Sequence, residues 1–313
     1  MKKLSIVLSL FALLVHGTVF GAYPEKPVTM LVPYSAGGNV DMIARGLAPA
    51  LEEELKGKIV VSPTPGAGGA VAIGKMLQSK ADGYTLLIGN NTSFSMRPFM
   101  QKVRYSAEDV IPICGVALPI HILGTSKDSG FASLEEMIAA AKKNPGTVSI
   151  AQLGRAGLHE IMALMLMKEL DIKLKQVPFN SGPEQVSALR GKHVDLLVTD
   201  NFNSEIRPLA SFNDDCKAIY ADTKSFAELG HPALGKLLNV YSIYAPAGTP
   251  AENIEIFRNA VRKAVTSEKF LTVANNLRIP AYFMEAEDLA KVIASDMKIM
   301  KELGDAGAYK PAK

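Results

Sequence analysis

The chain has 313 residues, of which 48% are hydrophobic and 21% are charged, so it carries enough apolar sequence for one large or two ordinary packed domains. Its formal net charge of +3 falls to +1 once Lys2 and Lys3 are subtracted, and a nearly neutral body argues against nucleic acid as a partner. Cys114 and Cys216 have neither CxxC nor metal-ligand spacing, which leaves zinc and redox chemistry without support.

The N-terminus has the features of a secretory signal peptide over 1–22. Two lysines precede an apolar run at 4–15, and small residues at 19–22 offer a cleavage site after Gly21. An uncleaved membrane anchor is the alternative, but the apolar run is shorter than the ~20 residues that a span needs. Export would make a disulfide between the two cysteines chemically possible, and two buried or free thiols are the simpler expectation.

The first predicted strand and helix enclose a glycine-containing loop. A short β-branched-rich run over 29–32 ends at Pro33 and predicts a buried strand. Apolar residues at every fourth position predict a helix over 39–55, which Pro49 should bend or break. The loop between them supplies the first candidate binding residues, Tyr34, Ser35, Ala36, Gly37, Gly38 and Asn39.

This loop has the composition of an anion cradle. Gly37 and Gly38 let the backbone adopt positive φ or approach a ligand closely. The first N–H groups of the following helix point outward, and the helix dipole favours negative charge there. Asn39 or Asp41 can cap the helix, and Asp41 more naturally orients the loop than binds an anion, because its own charge would repel one. We therefore expect the loop to receive a carboxylate.

Further strands and helices alternate along the chain and predict an α/β fold with parallel sheets, whose ligands sit beyond the C-terminal ends of the strands. The strands are predicted at 58–61, 84–88, 111–123, 148–151, 174–179, 194–198 and 240–244. The helices are predicted at 70–78, 133–142, 159–170, 183–190, 252–265 and 286–303.

Polar loops after these strands supply the remaining candidates for the binding site. They are Asn91, Thr92, Ser93, Gly154, Arg155, Ala156, Asp200 and Asn201. Arg155 either pairs with a second ligand carboxylate or is a solvated surface side chain. Asp200 either holds a ligand ammonium or hydroxyl group or caps a helix. His121 and His231 are expected to be structural, and His159 is expected to fix the start of its own helix rather than bind metal.

A series of short motifs occurs in a characteristic order over most of the chain. They are Tyr23-Pro-x-Lys-Pro27, Val32-Pro-Tyr-x-Ala-Gly-Gly-x-x-Asp41, Pro65-Gly-Ala-Gly-Gly69, Asp82-Gly-Tyr-Thr-Leu-Leu87, Tyr105…Asp109…Pro112-Ile113, Asn144-Pro-Gly146, Val177-Pro-Phe179, Leu189-x-Gly-x-x-Val-Asp195 and Ala245-Pro-Ala-Gly-Thr-Pro250. With these motifs the chain resembles the Bug/TctC family of periplasmic solute-binding proteins of tripartite tricarboxylate transporters. Arg155 interrupts a loop that the family fills with Gly and Ser.

The resemblance implies a two-lobed, type II periplasmic-binding-protein-like clamshell with two crossing hinge strands, near 118–123 and 240–245. Lobe one is expected to comprise 23–119 and 245–313, and lobe two 120–244. The expected protein is a periplasmic monomer that binds a small organic carboxylate, such as a di- or tricarboxylate, an aromatic acid or an acidic amino acid, and delivers it to membrane transporter subunits.

We expect neither catalysis nor a cofactor nor a bound metal. The chain has no Gly-x-Ser-x-Gly elbow and no phosphate loop that ends in Gly-Lys-Ser/Thr. Two alternatives remain open at this point. One is a secreted α/β hydrolase or isomerase that uses a cleft Asp or His, and the other is a sensor component without a transport role.

Overall fold

A computed structural model describes residues 23–309 apart from 129, 180, 202 and 215. The predicted signal peptide lies outside the described residues. Within the described part of the chain, no helix combines the length and the apolarity that a membrane crossing requires.

The chain first builds most of one sheet. Its elements are β1 (Val28–Val32), α1 (Asn39–Leu55), β2 (Ile59–Pro63), α2 (Ala70–Leu77), β3 (Thr85–Asn90), α3 (Thr92–Ser95), α4 (Arg97–Met100) and β4 (Val110–Ala117). Short 3₁₀ turns precede α2 and β4, at Ala67–Gly69 and Ala107–Asp109.

The middle of the chain builds a second sheet. Its elements are β5 (Ile122–Ser126), α5 (Leu134–Lys143), β6 (Ser149–Leu153), α6 (Leu158–Leu170), β7 (Lys175–Phe179), α7 (Gly182–Arg190), β8 (Leu196–Thr199) and β9 (Ile206–Ser211). A connection with 3₁₀ turns at Cys216–Ala218 and Pro232–Gly235 then leads back to the first sheet.

The C-terminal part completes the first sheet and covers it. It consists of β10 (Tyr241–Pro246), α8 (Ala251–Val265), α9 (Glu268–Leu277), β11 (Ala281–Met284) and α10 (Ala286–Asp305). The sequence predicted α8 and α10 but not β9, α9 or β11, which are short or lie in mixed-polarity segments.

The two sheets share one plan. The six-stranded sheet has the order β11-β4-β10-β3-β1-β2, and the five-stranded sheet has the order β7-β6-β8-β5-β9. In each, three neighbouring strands run parallel and a fourth runs antiparallel to its neighbours, namely β10 in the first sheet and β5 in the second. We call the six-stranded sheet with its helices lobe one, and the five-stranded sheet with its helices lobe two. This architecture confirms the predicted α/β clamshell with two crossings.

The predicted strand over 111–123 is two strands in two different sheets. β4 ends at Ala117 and β5 begins at Ile122, so the chain passes from lobe one to lobe two between them. Pro119 lies in this connection, where its missing N–H costs neither sheet a hydrogen bond. The return crossing precedes β10, which lies undivided in lobe one.

Helix α1 shows that burial overrides a local penalty. It runs unbroken from Asn39 to Leu55 although Pro49 lies inside it. Its apolar stripe, which includes Ile43, Leu47 and Leu51, is fully buried against the lobe-one sheet and α8 and α9. A buried Leu or Ile side chain contributes roughly 1.5–3 kcal/mol, so three of them outweigh the roughly 3 kcal/mol that an interior proline costs.

Helix α10 connects the two lobes. Leu289 and Ile293 in its first half are part of a lobe-one core, whereas Met300 and Leu303 in its second half belong to a core of lobe two. The assignment of 245–313 to lobe one therefore remains a prediction for the second half of this helix.

Candidate functional site

The loop after β1 is braced by the helix that follows it. The Gly37 N–H donates to Asp41 Oδ2 at 2.9 Å, and Arg45 Nε donates to the same oxygen at 2.9 Å. Asp41 is only 1% exposed. The prediction that Asp41 orients the loop is thereby confirmed, while the prediction of a side-chain cap is wrong, because the N-cap of α1 is Gly38 and no side chain caps the helix.

Several backbone donors of this loop stay open. Among the described residues, no acceptor is found for the N–H groups of Ala36, Asn39 and Val40. The Gly38 N–H makes a long hydrogen bond of 3.3 Å to the Ser35 carbonyl oxygen. Ser35 to Gly38 are exposed. The loop thus presents unpaired amides at a helix N-terminus, as an anion site requires.

Lobe two repeats the brace at its own glycine loop. The Ala156 N–H donates to Glu160 Oε2 at 2.6 Å, and the Gly154 N–H donates to the Phe179 carbonyl oxygen at 2.8 Å. Gly157 is the N-cap of α6 and no side chain caps the helix. The side chain of Arg155 is exposed and forms no ion pair with any described residue.

Four side chains join the lobes at the lobe-one loop. Asn39 Nδ2 donates to Asn201 Oδ1 at 3.1 Å and to Asp200 Oδ2 at 3.4 Å. The Tyr241 hydroxyl, from lobe one, donates to the same Asp200 oxygen at 2.9 Å. The sequence-predicted candidates Asn39, Asp200 and Asn201 are therefore brought together between the two lobes. Gly182 permits this packing, because a Cβ there would lie 2.5 Å from Asn201 Nδ2.

Two buried histidines lie beside Asp200. His121 and His159 are 1% and 6% exposed, and the centroids of their rings are 5.4 Å apart. One ring nitrogen of each histidine and one carboxylate oxygen of Asp200 all lie within 4.8 Å of one another. No hydrogen bond partner is found among the described residues for Nδ1 of either imidazole.

Burial sets the ionisation of this group. Burial lowers the pKa of His121, and burial together with the neighbouring His121 lowers the pKa of His159 to about 4, against the opposing pull of Asp200. Burial alone would raise the pKa of Asp200, but the two imidazoles and the donors Tyr241 and Asn39 lower it below its ordinary value. At neutral pH the cluster thus holds two neutral imidazoles and one carboxylate.

A family model described as "Tripartite tricarboxylate transporter family receptor" matches residues 43–306 of the chain. The chain belongs to this receptor family. The predicted resemblance is confirmed, and the family is one of solute-binding receptors.

Three individual proteins that are similar to this chain agree with the assignment. The chain is 27% identical over 259 residues to the protein BugT of Bordetella pertussis, and the match covers 79% of this chain and 78% of that protein. An R. palustris protein solved with adipate superimposes with a TM-score of 0.81 at 21% identity, over 93% of this chain and 100% of that one. MatC from Rhodopseudomonas palustris with bound malate gives a TM-score of 0.75 at 19% identity, over 89% and 100%. The two structures establish the fold.

Asn91, a predicted cleft residue, is used inside lobe one. Its Nδ2 donates to the Leu238 carbonyl oxygen at 2.9 Å and to Asp296 Oδ2 at 2.8 Å, and its Oδ1 accepts the Val240 N–H at 2.8 Å. Ser95 donates to the same Asp296 oxygen at 2.8 Å. We call Asn91, Ser95 and Asp296 the α10 clamp. Asn91 is fully buried and has no amide donor left for a ligand.

Thr92 and Ser93 are buried beside this clamp, and Tyr34 is partly buried. Thr92 is 8% exposed and Ser93 4% exposed, and the Ser93 carbonyl accepts the Tyr105 hydroxyl at 3.1 Å. Burial raises the pKa of Tyr34, while nearby Arg97 and a hydrogen bond with Ser93 lower it in part. These residues form the wall behind the loop rather than its open face.

Sequence reasoning missed Tyr241 and Arg97, and it considered His121 and His159 but expected both to be structural. Arg97 donates from Nη1 to Gln101 at 2.9 Å, and its buried Nε has no partner among the described residues. A Cβ at Gly68 would overlap the Arg97 guanidinium, so the glycine motif Pro65–Gly69 is fitted to this side chain. The motif's glycines were the available signal, but they do not identify the partner that they accommodate.

Proposed function

We propose that this receptor captures a small organic carboxylate between its lobes outside the cytoplasm and delivers it to a membrane transporter. The observation that carries the proposal is the loop after β1, whose open amides at the start of α1 face the contact with lobe two. The membership in a tripartite tricarboxylate transporter receptor family supports the same role.

The capture proceeds by closure of the lobes. One carboxylate binds the open N–H groups around Ala36 to Val40, where the helix dipole adds a favourable contribution of roughly 0.3–1 kcal/mol, similar to that of one ordinary hydrogen bond. From an open form, lobe two then moves toward the loop, and the ligand takes the place of the direct Asn39–Asn201 contact that this structure shows and excludes water. Exclusion of water strengthens the remaining hydrogen bonds. An affinity near micromolar, about −8 kcal/mol, is sufficient for uptake.

The binding set follows from which donors are open. Ser35, Ala36, Gly38, Asn39, Arg155 and Asn201 provide the open donors of the proposed set, and Tyr34, Thr92, Ser93, Gly154 and Asp200 complete it as lining groups, since the Gly154 N–H already donates to the Phe179 carbonyl oxygen. Gly37 and Ala156 contribute shape rather than donors, because Asp41 and Glu160 already accept their N–H groups. Asn91 is removed from the set, since all its amide donors are used in the α10 clamp.

A dicarboxylate is the ligand class that we favour. Arg155 of lobe two and Arg97 of lobe one carry no ion pair with any described residue, so a second carboxylate has a guanidinium partner available. Relatives of similar fold were solved with adipate and with malate, which are both dicarboxylates. The signal peptide predicted over 1–22 supports a periplasmic site of action.

The enzyme alternative finds less support. It requires a Ser or Asp within hydrogen-bond reach of a cleft His, and Asp200 lies near His121 and His159 without a hydrogen bond to either among the described contacts. Both cysteines are free and buried, as predicted, and burial raises the pKa of the Cys114 and Cys216 thiols, so neither serves as a ready nucleophile.

A ligand panel tests the proposed function. The mature chain is screened by thermal shift against mono-, di- and tricarboxylates and acidic amino acids, and each hit is measured by calorimetry in EDTA and followed by mass spectrometry for turnover. We expect a dicarboxylate to raise Tm and to bind near micromolar without chemical change. A panel in which no carboxylate raises Tm, or in which the hit is consumed, would contradict the proposal.

A further inference from the structure

Three groups with metal-ligand chemistry converge in lobe two although they come from distant parts of the chain. His121 lies in the crossing just before β5, His159 lies in the first turn of α6, and Asp200 follows β8. One ligand atom from each lies within 4.8 Å of the others. The three elements meet here because β5, β6 and β8 are neighbours in one sheet, and β6 and β8 run parallel.

Two nitrogens of the cluster have no partner among the described residues. Nδ1 of His121 and Nδ1 of His159 are buried and have no hydrogen bond partner among the described residues. A buried polar atom without a partner typically costs about 1–3 kcal/mol, so two such atoms side by side need an explanation. In contrast, the hydrogen bonds from Tyr241 and Asn39 to Asp200 both go to Oδ2. They fix the carboxylate in place, as outer partners do for metal-ligating groups.

We propose that His121, His159 and Asp200 form a binding site for one divalent first-row transition ion. Two imidazoles and a carboxylate are the ligand set that Zn²⁺ and its neighbours accept, with one or more positions left open. Ligand atoms about 2.0–2.2 Å from an ion lie about 3–3.5 Å from one another. Side-chain rotations that move each ligand atom by about an ångström would therefore complete the site. This proposal replaces the sequence-based expectation of a metal-free cleft.

The position of the site gives the ion a role in ligand capture. Asp200 is held by Asn39, which opens α1 directly after the carboxylate loop, so an ion on the cluster would lie opposite the open amides. A carboxylate in the cleft would then occupy an open position of the ion, and the receptor would take the organic acid together with its metal. This part rests on the proposed function, whereas the metal site itself does not.

Calorimetry with Zn²⁺ alone tests the site. The untagged mature protein is stripped with EDTA, dialysed and titrated with ZnCl₂. We expect one saturable equivalent, weakened at least tenfold in H121Q, in H159Q and in D200N. The matched control is H193Q, because His193 is exposed and lies away from the cluster, and it should bind as the unaltered protein does. Absence of saturable binding, or binding that the first three variants retain, would overturn the proposal.

A second readout avoids variants that fail to fold. Co²⁺ is added to the unaltered stripped protein, and its visible absorption is recorded. Imidazole and carboxylate ligation should shift and intensify the bands, whereas the spectrum of the hydrated ion would overturn the proposal. Carboxylate affinity is then compared in EDTA and in Zn²⁺. Binding in EDTA that Zn²⁺ leaves unchanged would refute the joint capture alone, since the carboxylate function would remain intact.

Discussion

The glycine loops of the two lobes are built alike and differ in what they present. In both, a glycine is the N-cap of a helix, and the acidic residue three positions later accepts the N–H of the residue before that glycine: Asp41 with Gly37, and Glu160 with Ala156. Lobe one then offers bare amides, while lobe two carries the charged side chain Arg155.

This difference indicates that the two lobes contribute differently to ligand binding. Asp41 is 1% exposed and is also paired with Arg45, so the lobe-one loop is fixed before a ligand arrives. Glu160 is only partly buried and has no such second partner among the described residues. We therefore expect lobe one to determine whether a carboxylate binds and lobe two to determine which one.

The largest expected effect is on the lobe-one amides. In G38V the Cβ meets only the Ser35 carbonyl oxygen, at 3.4 Å, so the fold should persist while the side chain covers the loop. Ligand affinity should fall by roughly 100-fold, about 2.8 kcal/mol. The matched variant G157V in lobe two, where a Cβ would lie 3.3 Å from the Leu153 carbonyl oxygen, should lose less. Calorimetry measures the ligand affinity of both variants. Equal losses of affinity would contradict the expectation that lobe one determines whether a carboxylate binds.

The two braces should differ in their contribution to stability. D41A removes the acceptor of two hydrogen bonds in a buried position, and its free energy of unfolding should fall by roughly 2–3 kcal/mol. E160A removes one acceptor at a partly exposed position and should cost about 1 kcal/mol. Urea denaturation measures both values. A loss in E160A as large as in D41A would show that the loops are fixed equally.

The α10 clamp should affect stability without affecting affinity, which separates it from both loops. Burial raises the pKa of Asp296 to about 7, above its value of 3.8 in an unfolded chain, so the folded state binds more protons between about pH 4 and 7. The free energy of unfolding therefore falls as the pH rises through this range, by about 1.4 kcal/mol for each pH unit and roughly 4 kcal/mol in all. D296N should remove most of that fall.

Urea denaturation of D296N and the unaltered protein at pH 5 and pH 8 checks this expectation. The variant should be the more stable of the two at pH 8, and its advantage should be smaller at pH 5, where Asp296 is still protonated in the folded state. Its ligand affinity at either pH should match that of the unaltered protein. A change in affinity would place the clamp in the binding site after all.

The smallest expected effect concerns the charge of lobe two. R155A should weaken a dicarboxylate about fivefold, roughly 1 kcal/mol, because the side chain is exposed and its ion pair is screened by water. A monocarboxylate should lose little. Calorimetry with a matched pair of acids, one with and one without the second carboxylate, makes the comparison. Equal losses for the two acids would remove Arg155 from the site.

Local patterns in the sequence determined most of the fold. The run at 29–32 and the four-residue spacing over 39–55 depend on neighbours in the chain, and both elements are found where they were predicted, as β1 and α1. The boundary inside 111–123 was not predicted, because the apolar character of β4 continues into Ile122 and Leu123 at the start of β5, and the partners of the two strands in different sheets separate them.

The sequence by itself determined that lobe one carries a glycine loop at a helix start, because glycine content and strand–helix order are local properties. Only the tertiary structure decided which groups meet that loop. Asn39 and Asn201 touch because the two lobes contact each other at this point. His121, His159 and Asp200 cluster because antiparallel β5 begins at the same sheet edge where its parallel neighbours β6 and β8 end, whatever their separation along the chain. No spacing in the sequence encodes those contacts, since the strand order of the two sheets sets them.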